Sequence, residues 1–208
     1  IWASPHQFDR VYFANNYFKV TNDGGKTFKS VGKAYKHVDN HAVAFKANDP
    51  DYLMVGTDGG LYESFDLAKT WRHMGNLPIT QFYKLAVDDA KPFYHIYGGT
   101  QDNNTQRGES RTENSAGISN ADWDVVLGGD GHQPATEPGN PNIVYGQSQQ
   151  GWYSRIDLAT GERIGIRPQP SDGDGFERYN WDAPIVVSSH DPARVYVASH
   201  RLWRSDDR

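Results

Sequence analysis

In Asp49-Pro50-Asp51-Tyr52-Leu53-Met54-Val55-Gly56 a turn-forming Asp-Pro-Asp leads into a β-rich run that closes on a small residue. The run returns as Val11-Tyr12-Phe13-Ala14, His95-Ile96-Tyr97-Gly98, Ile143-Val144-Tyr145-Gly146 and Val195-Tyr196-Val197-Ala198. The closing residues fall at 14, 56, 98, 146 and 198, spaced 42, 42, 48 and 52 apart. β-branched and aromatic residues recurring at this period, without a helical pattern, predict an all-β chain of β-propeller blades. Each unit is one four-stranded sheet that must stack on its neighbours to bury both faces.

Working outward from these runs gives four strands per unit. Strand 1 is expected at 41–47, 81–87, 132–136 and 184–188, and strand 2 is the repeated run. Strand 3 is expected at 18–21, 61–64, 104–107, 152–156 and 202–205, and strand 4 at 27–31, 70–73, 123–127 and 163–167. The units span approximately 1–32, 33–76, 77–127, 128–167 and 179–208, three of them complete and two partial. The chain therefore reads as a section of a larger propeller, the rest supplied by sequence outside these residues. Two polar stretches break the rhythm, Thr105–Asn120 as a surface loop and Gln169–Arg178 as an insertion.

Composition agrees. Aromatics make up 13% of 208 residues, with 21 Gly and 11 Pro, as expected of pleated strands joined by tight turns. A net charge of −5 leaves no basic footprint for nucleic acid. There is no cysteine, so a disulfide scaffold and thiolate-bound metal are excluded. No apolar run reaches the ~20 residues of a transmembrane helix. The chain opens at Ile1, which points to a truncated N-terminus and makes the lack of a visible signal peptide uninformative.

The turns between strands 3 and 4 carry a second motif. Thr21-Asn22-Asp23-Gly24-Gly25-Lys26-Thr27-Phe28 matches the pattern S/T-x-D-x-G-x-T-W/F, and Ser64-Phe65-Asp66-Leu67-Ala68-Lys69-Thr70-Trp71 matches it with Ala68 in place of Gly. Ser205-Asp206-Asp207 begins a third copy. Asp23 and Asp66 are expected to accept backbone amides inside their hairpins, with the aromatic packed beneath. On these motifs the chain resembles the BNR/Asp-box propellers of the sortilin-like (VPS10-like) family, bacterial secreted proteins often labelled glycosyl hydrolases. The resemblance covers essentially the whole chain and implies a periplasmic, cell-surface or secreted bacterial protein. It does not imply an activity.

In a propeller, the loops before strand 1 and between strands 2 and 3 open on one face. That places His37, Asp39, His41, Asp58, Gln101, Asp102, Asp130, His132, Asp182 and Arg201 around the channel mouth. The acids Asp39, Asp58, Asp102, Asp130 and Asp182 are the candidates for a catalytic pair, since glycoside hydrolysis needs two carboxylates. Asp in a Gly-rich turn is more often a turn-former. His37, Asp39 and His41 alternate, so an extended segment would present all three as ligands to a divalent metal. Asp172-Gly173-Asp174-Gly175 offers oxygen ligands for calcium, although no cofactor is required. His37, His41, Gln101, His132, Trp152 and Arg201 are the expected ligand contacts, and Tyr17, Tyr62 and Trp203 are further exposed-ring candidates. The favoured function is a non-catalytic extracytoplasmic module that binds a protein or glycan through its channel-face loops. The alternative is a glycoside hydrolase, sialidase- or xyloglucanase-like, working with channel-mouth carboxylates.

Overall fold

The computed structural model describes every residue except Lys33 and Pro78. The expected start of the second repeat, at Lys33, lies outside the described residues. The chain forms two compact units, Ile1–Ile79 and Thr80–Arg208.

The first unit holds two antiparallel sheets. One orders β1 (Trp2–Ala3), β2 (Val11–Phe13), β3 (Lys19–Thr21) and β4 (Lys29–Ser30); the other orders β5 (Asn40–Lys46), β6 (Asp49–Thr57), β7 (Gly60–Ser64) and β8 (Arg72–His73). Each sheet follows chain order, which is the up-and-down meander of a propeller blade. Their facing sides meet in a cluster of Tyr12, Phe18, Leu53, Val55 and Ala68, with Trp71 packed against it. Tyr12 stacks on Phe18 at 5.5 Å between centroids, and Trp71 meets Phe18 edge-on at 5.9 Å.

The second unit holds three sheets. β9 (Leu85–Val87), β10 (His95–Gly99), β11 (Thr105–Glu109) and β12 (Trp123–Leu127) form one; β13 (Ala135–Glu137), β14 (Asn140–Ser148), β15 (Trp152–Asp157) and β16 (Arg163–Gly165) form the next. The last sheet has three strands, β17 (Ile185–Val187), β18 (Val195–Ala198) and β19 (Leu202–Ser205). Its core joins Ile143, Tyr145 and Tyr153 to Ala183, Ile185, Val195 and Val197. The only helical segments among the described residues are two 3-10 turns, Asn120–Asp122 and Gln149–Gly151.

All five repeated runs lie in the second strand of their sheets, and packing explains two of the small closing residues. A Cβ on Gly98 would stand 2.3 Å from the Phe82 ring, and one on Gly146 would stand 2.7 Å from Leu127. One expectation is corrected. The loop expected from Thr105 starts later: Thr105–Glu109 is β11, covering residues 105–107 of the strand 3 expected at 104–107 and extending to Glu109, and it pairs with β10 from His95↔Glu109 to Gly99↔Thr105. Its polar side chains find partners on the sheet, Arg107 pairing with Asp124 at 2.8 Å, so a polar run was compatible with a strand.

Candidate functional site

The two hairpin turns of the first unit share one network. In the first, Asp23 accepts the Thr27 amide at 2.9 Å, the Thr27 hydroxyl at 2.6 Å and the Thr21 hydroxyl at 2.6 Å. In the second, Asp66 accepts the amides of Lys69 and Thr70 at 3.0 and 2.9 Å and the hydroxyls of Thr70 and Ser64 at 2.6 and 2.8 Å. Hydrogen bonds from Thr21 and Thr27 hold the Asp23 carboxyl far below its ordinary value. Burial alone would raise Asp66, but the bonds from Thr70, Ser64 and Lys69 outweigh it and hold the carboxyl at about 2. Gly24 and Gly25 take positive φ in the first turn, and Leu67 and Ala68 take φ of 60° and 68° in the second. Of the two turn aromatics Trp71 packs against the core, whereas Phe28 stays half-exposed. Ser205 donates to Asp207 as Thr21 does to Asp23, so the third copy is aligned in the same way.

The alternation of His37, Asp39 and His41 does not survive folding. Asp39 adopts φ of 55°, which breaks the extended geometry that would have aligned the three side chains. The His37 ring turns to the Val38 carbonyl at 3.0 Å, His41 pairs with Asp58, and His41 does not join the other two at ligand spacing. Asn16 donates to the Asp39 carboxylate at 2.7 Å, and the Asp58 amide donates to the Asp39 carbonyl at 3.2 Å.

In the second unit the turn Thr100–Asn104 and the loop Gly128–Gly131 zip together. The Asp102 amide donates to the Asp130 carboxylate at 3.0 Å, Asn104 donates its amide to the Gly129 carbonyl at 3.0 Å, and Gly131 donates to Thr100 at 2.9 Å. Asp130 is therefore a buried turn acceptor. Gln101 receives the Tyr83 hydroxyl.

The segments leading into β9, β13 and β17 then converge. They deliver Tyr83, His132 and Asp182, which are equivalent positions by strand register, with Lys84 and Trp181 next to them in sequence. Lys84 Nζ lies 3.2 Å from Asp182 Oδ2, and His132 Nδ1 lies 4.0 Å from Asp182 Oδ1. The Tyr83 ring stacks on His132 at 5.2 Å between centroids, and Trp181 meets it edge-on at 6.4 Å. His132 is fully buried, whereas Tyr83 and Trp181 are 43% and 45% exposed. Burial pushes the His132 imidazole below its ordinary value, against the pull of the Asp182 and Asp130 carboxylates. Gln147, fully buried, fixes the Trp181 backbone by donating to its carbonyl at 3.1 Å. Sequence reasoning had Asp182 and His132 but missed Lys84, Tyr83 and Trp181. Tyr83 occupies the repeat position of His132 and Asp182, and Lys84 and Trp181 each stand one residue from that position; this equivalence was the available signal.

The insertion is fastened by ion pairs. Arg201 donates to the Asp174 carboxylate at 3.1 Å, and the buried Glu177 receives Trp203 Nε1 at 3.0 Å and the Ser199 hydroxyl. Burial would raise Glu177, but Ser199, Trp203, His200 and Arg201 together hold it below the usual range. Asp174 thus has a guanidinium where calcium was considered, and Arg201 is committed to the insertion. One face of the Trp152 ring is covered by the Arg167 guanidinium at 4.7 Å, which also stacks on Tyr179 at 4.6 Å. Tyr62 packs on His73 at 4.9 Å, while Tyr17 remains 48% exposed. A polar cleft of about 340 Å³ opens at the other end of β10, lined by His95, Arg107, Arg111 and Asp124 among others. Its arginines are paired with Asp124 and Glu109, and Glu113 and Asp122 leave its lining with an excess of acids.

No protein-family model matches the chain, and no curated protein matches it. Among solved structures it is similar to an ancestral GH74 enzyme, at 15% identity and a TM-score of 0.36, covering 98% of this chain and 30% of that one. It is also similar to YCF48 bound to D1 peptide, at 14% identity and a TM-score of 0.41, covering 97% of this chain and 62% of that one. A third likeness is to the Niastella koreensis GH74 enzyme, at 16% identity and a TM-score of 0.38, covering 93% of this chain and 32% of that one. The chain thus spans less than two thirds of each, and likeness at this level assigns no activity.

Proposed function

We propose that the chain belongs to an extracytoplasmic bacterial propeller, of BNR/sortilin-like type, that binds a protein or glycan and does not catalyse a reaction. The observation that carries this reading is the partnering of four of the five candidate acids. Asp58 has His41, Asp182 has Lys84, Asp130 has the Asp102 amide and Asp39 has the Asn16 amide. Glycoside hydrolysis needs two carboxylates facing a common substrate, whereas these four are each engaged by a separate donor within the fold.

The rim formed by Tyr83, Lys84, Trp181 and Asp182 is suited to recognition. Two half-exposed rings offer apolar area, and an ion pair beside them offers both a donor and an acceptor. The two Asp-box hairpins support the family placement, and with it a secreted or surface location.

Glycan and peptide arrays probed with the intact chain test the reading, followed by titration of any hit. Trp181→Ala and Lys84→Met should each weaken binding about 10-fold or more at unchanged melting temperature. Full affinity in both variants would remove this rim from the ligand site.

A further inference from the structure

We propose that His132, Asp182 and Lys84 form a proton-operated switch, in which protonation of His132 draws Asp182 off Lys84 and leaves the ammonium to an anionic group. Its use in ligand capture rests on the rim being the binding site; the switch itself does not.

The side chain of His132 is fully buried, and among the described residues neither ring nitrogen has a hydrogen-bond partner. Asp182 Oδ1, also buried and without a hydrogen-bond partner among the described residues, stands 4.0 Å from His132 Nδ1, beyond hydrogen-bond reach. Its second oxygen already holds Lys84 at 3.2 Å. The carboxylate therefore lies between two basic groups and engages one of them. While the imidazole is neutral, Lys84 keeps the carboxylate. Once protonated, the ring carries hydrogen on both nitrogens, and a buried imidazolium without a partner is unfavourable. Closing the gap to about 2.8 Å would give a charge-assisted bond at the expense of Lys84.

Other groups facing His132 cannot do this. Asp130, from its own loop, is 7% exposed and bonded to the Asp102 amide. Tyr83 and Trp181 present rings to it, and Gln147 offers its backbone carbonyl to the His132 amide at 3.3 Å. Lys84 is itself cationic and opposes protonation. Asp182, with its side chain 32% exposed, is the acid with room to move.

Nuclear magnetic resonance of the intact chain, labelled at His and Lys nitrogens, tests this from about pH 7.5 down to about pH 4.5. The expected result is a His132 midpoint below 6.5 and a Lys84 ammonium resonance that shifts with the same midpoint. Asp182→Asn should abolish the Lys84 response and lower the His132 midpoint further. A Lys84 resonance that stays flat while His132 titrates, or a response that persists in Asp182→Asn, overturns the switch. If the variant does not fold, the coincidence of the two curves in the unmutated chain decides. Acetate serves as the carboxylate probe and should perturb Lys84 more strongly below the midpoint. Coincident titration with no acetate effect keeps the switch and overturns its part in anion capture.

Discussion

Replacing Asp66 by Ala should weaken the fold without touching the ligand rim. Asp66 accepts four hydrogen bonds, from the Ser64 hydroxyl, the Lys69 and Thr70 amides and the Thr70 hydroxyl. Lys69 and Thr70 are exposed, so their donors re-pair with water; Ser64 is 1% exposed and loses a partner for its hydroxyl. One buried group left unsatisfied costs about 1–3 kcal/mol. The titration gives a second route to the size. The carboxyl is held at about 2 against an ordinary 3.8. Its stabilisation is therefore fully present above pH 3.8 and is lost as pH falls through 2, and after discounting for solvent screening amounts to about 1–2 kcal/mol. Urea unfolding at neutral pH should show this loss as a lower midpoint at unchanged slope, and the variant should lose its share of the acid-side pH dependence. A loss below about 0.3 kcal/mol would refute the hairpin reasoning. Lowered ligand affinity at unchanged stability would show that Asp66 belongs to a binding site.

Two other outcomes follow from buried groups. Lys36 lies against Phe18 and Trp71, and burial lowers its amine from 10.5 to about 8. Between those values the unfolded chain binds more protons, so stability should rise with pH, by about 2–3 kcal/mol, and Lys36→Met should flatten the rise in urea midpoint. A Cβ at Gly99 would stand 1.9 Å from the His132 carbonyl oxygen, which is backbone and cannot yield. Gly99→Ala should therefore cost about 3 kcal/mol or more in thermal unfolding. Gly165→Ala, with open space around its Cβ, should stay within about 0.5 kcal/mol. Equal effects at the two glycines would contradict the packing described here.

The features legible in sequence are those written in local pattern. The repeated runs and the hairpin acids depend on neighbours a few residues away, so strand order and the roles of Asp23 and Asp66 could be read directly. At Thr105–Glu109 a strand and a loop expectation overlapped, and the strand holds because its polar residues are satisfied by partners across the sheet, Arg107 by Asp124. The His37-Asp39-His41 ligand set misled because the alternation rule assumes extended backbone, and the φ of 55° at Asp39 is fixed by contacts such as its amide to the Asn16 carbonyl. The Lys84–Asp182 pair lies 98 residues apart in sequence, and Glu177 finds Ser199 across 22 residues. Such pairings follow from how blades pack, and no spacing rule within one repeat announces them.

The most direct test of the binding reading is a side-by-side measurement of turnover and affinity on the intact chain, using β-glucan and sialoside substrates together with any array-derived ligand. No product release is expected from either substrate class, with binding weakened in Trp181→Ala and retained in Asp39→Asn and Asp130→Asn. Hydrolysis by the intact chain that Asp39→Asn, Asp130→Asn or Asp182→Asn abolishes would contradict it, and would make the partnered acids a working catalytic set.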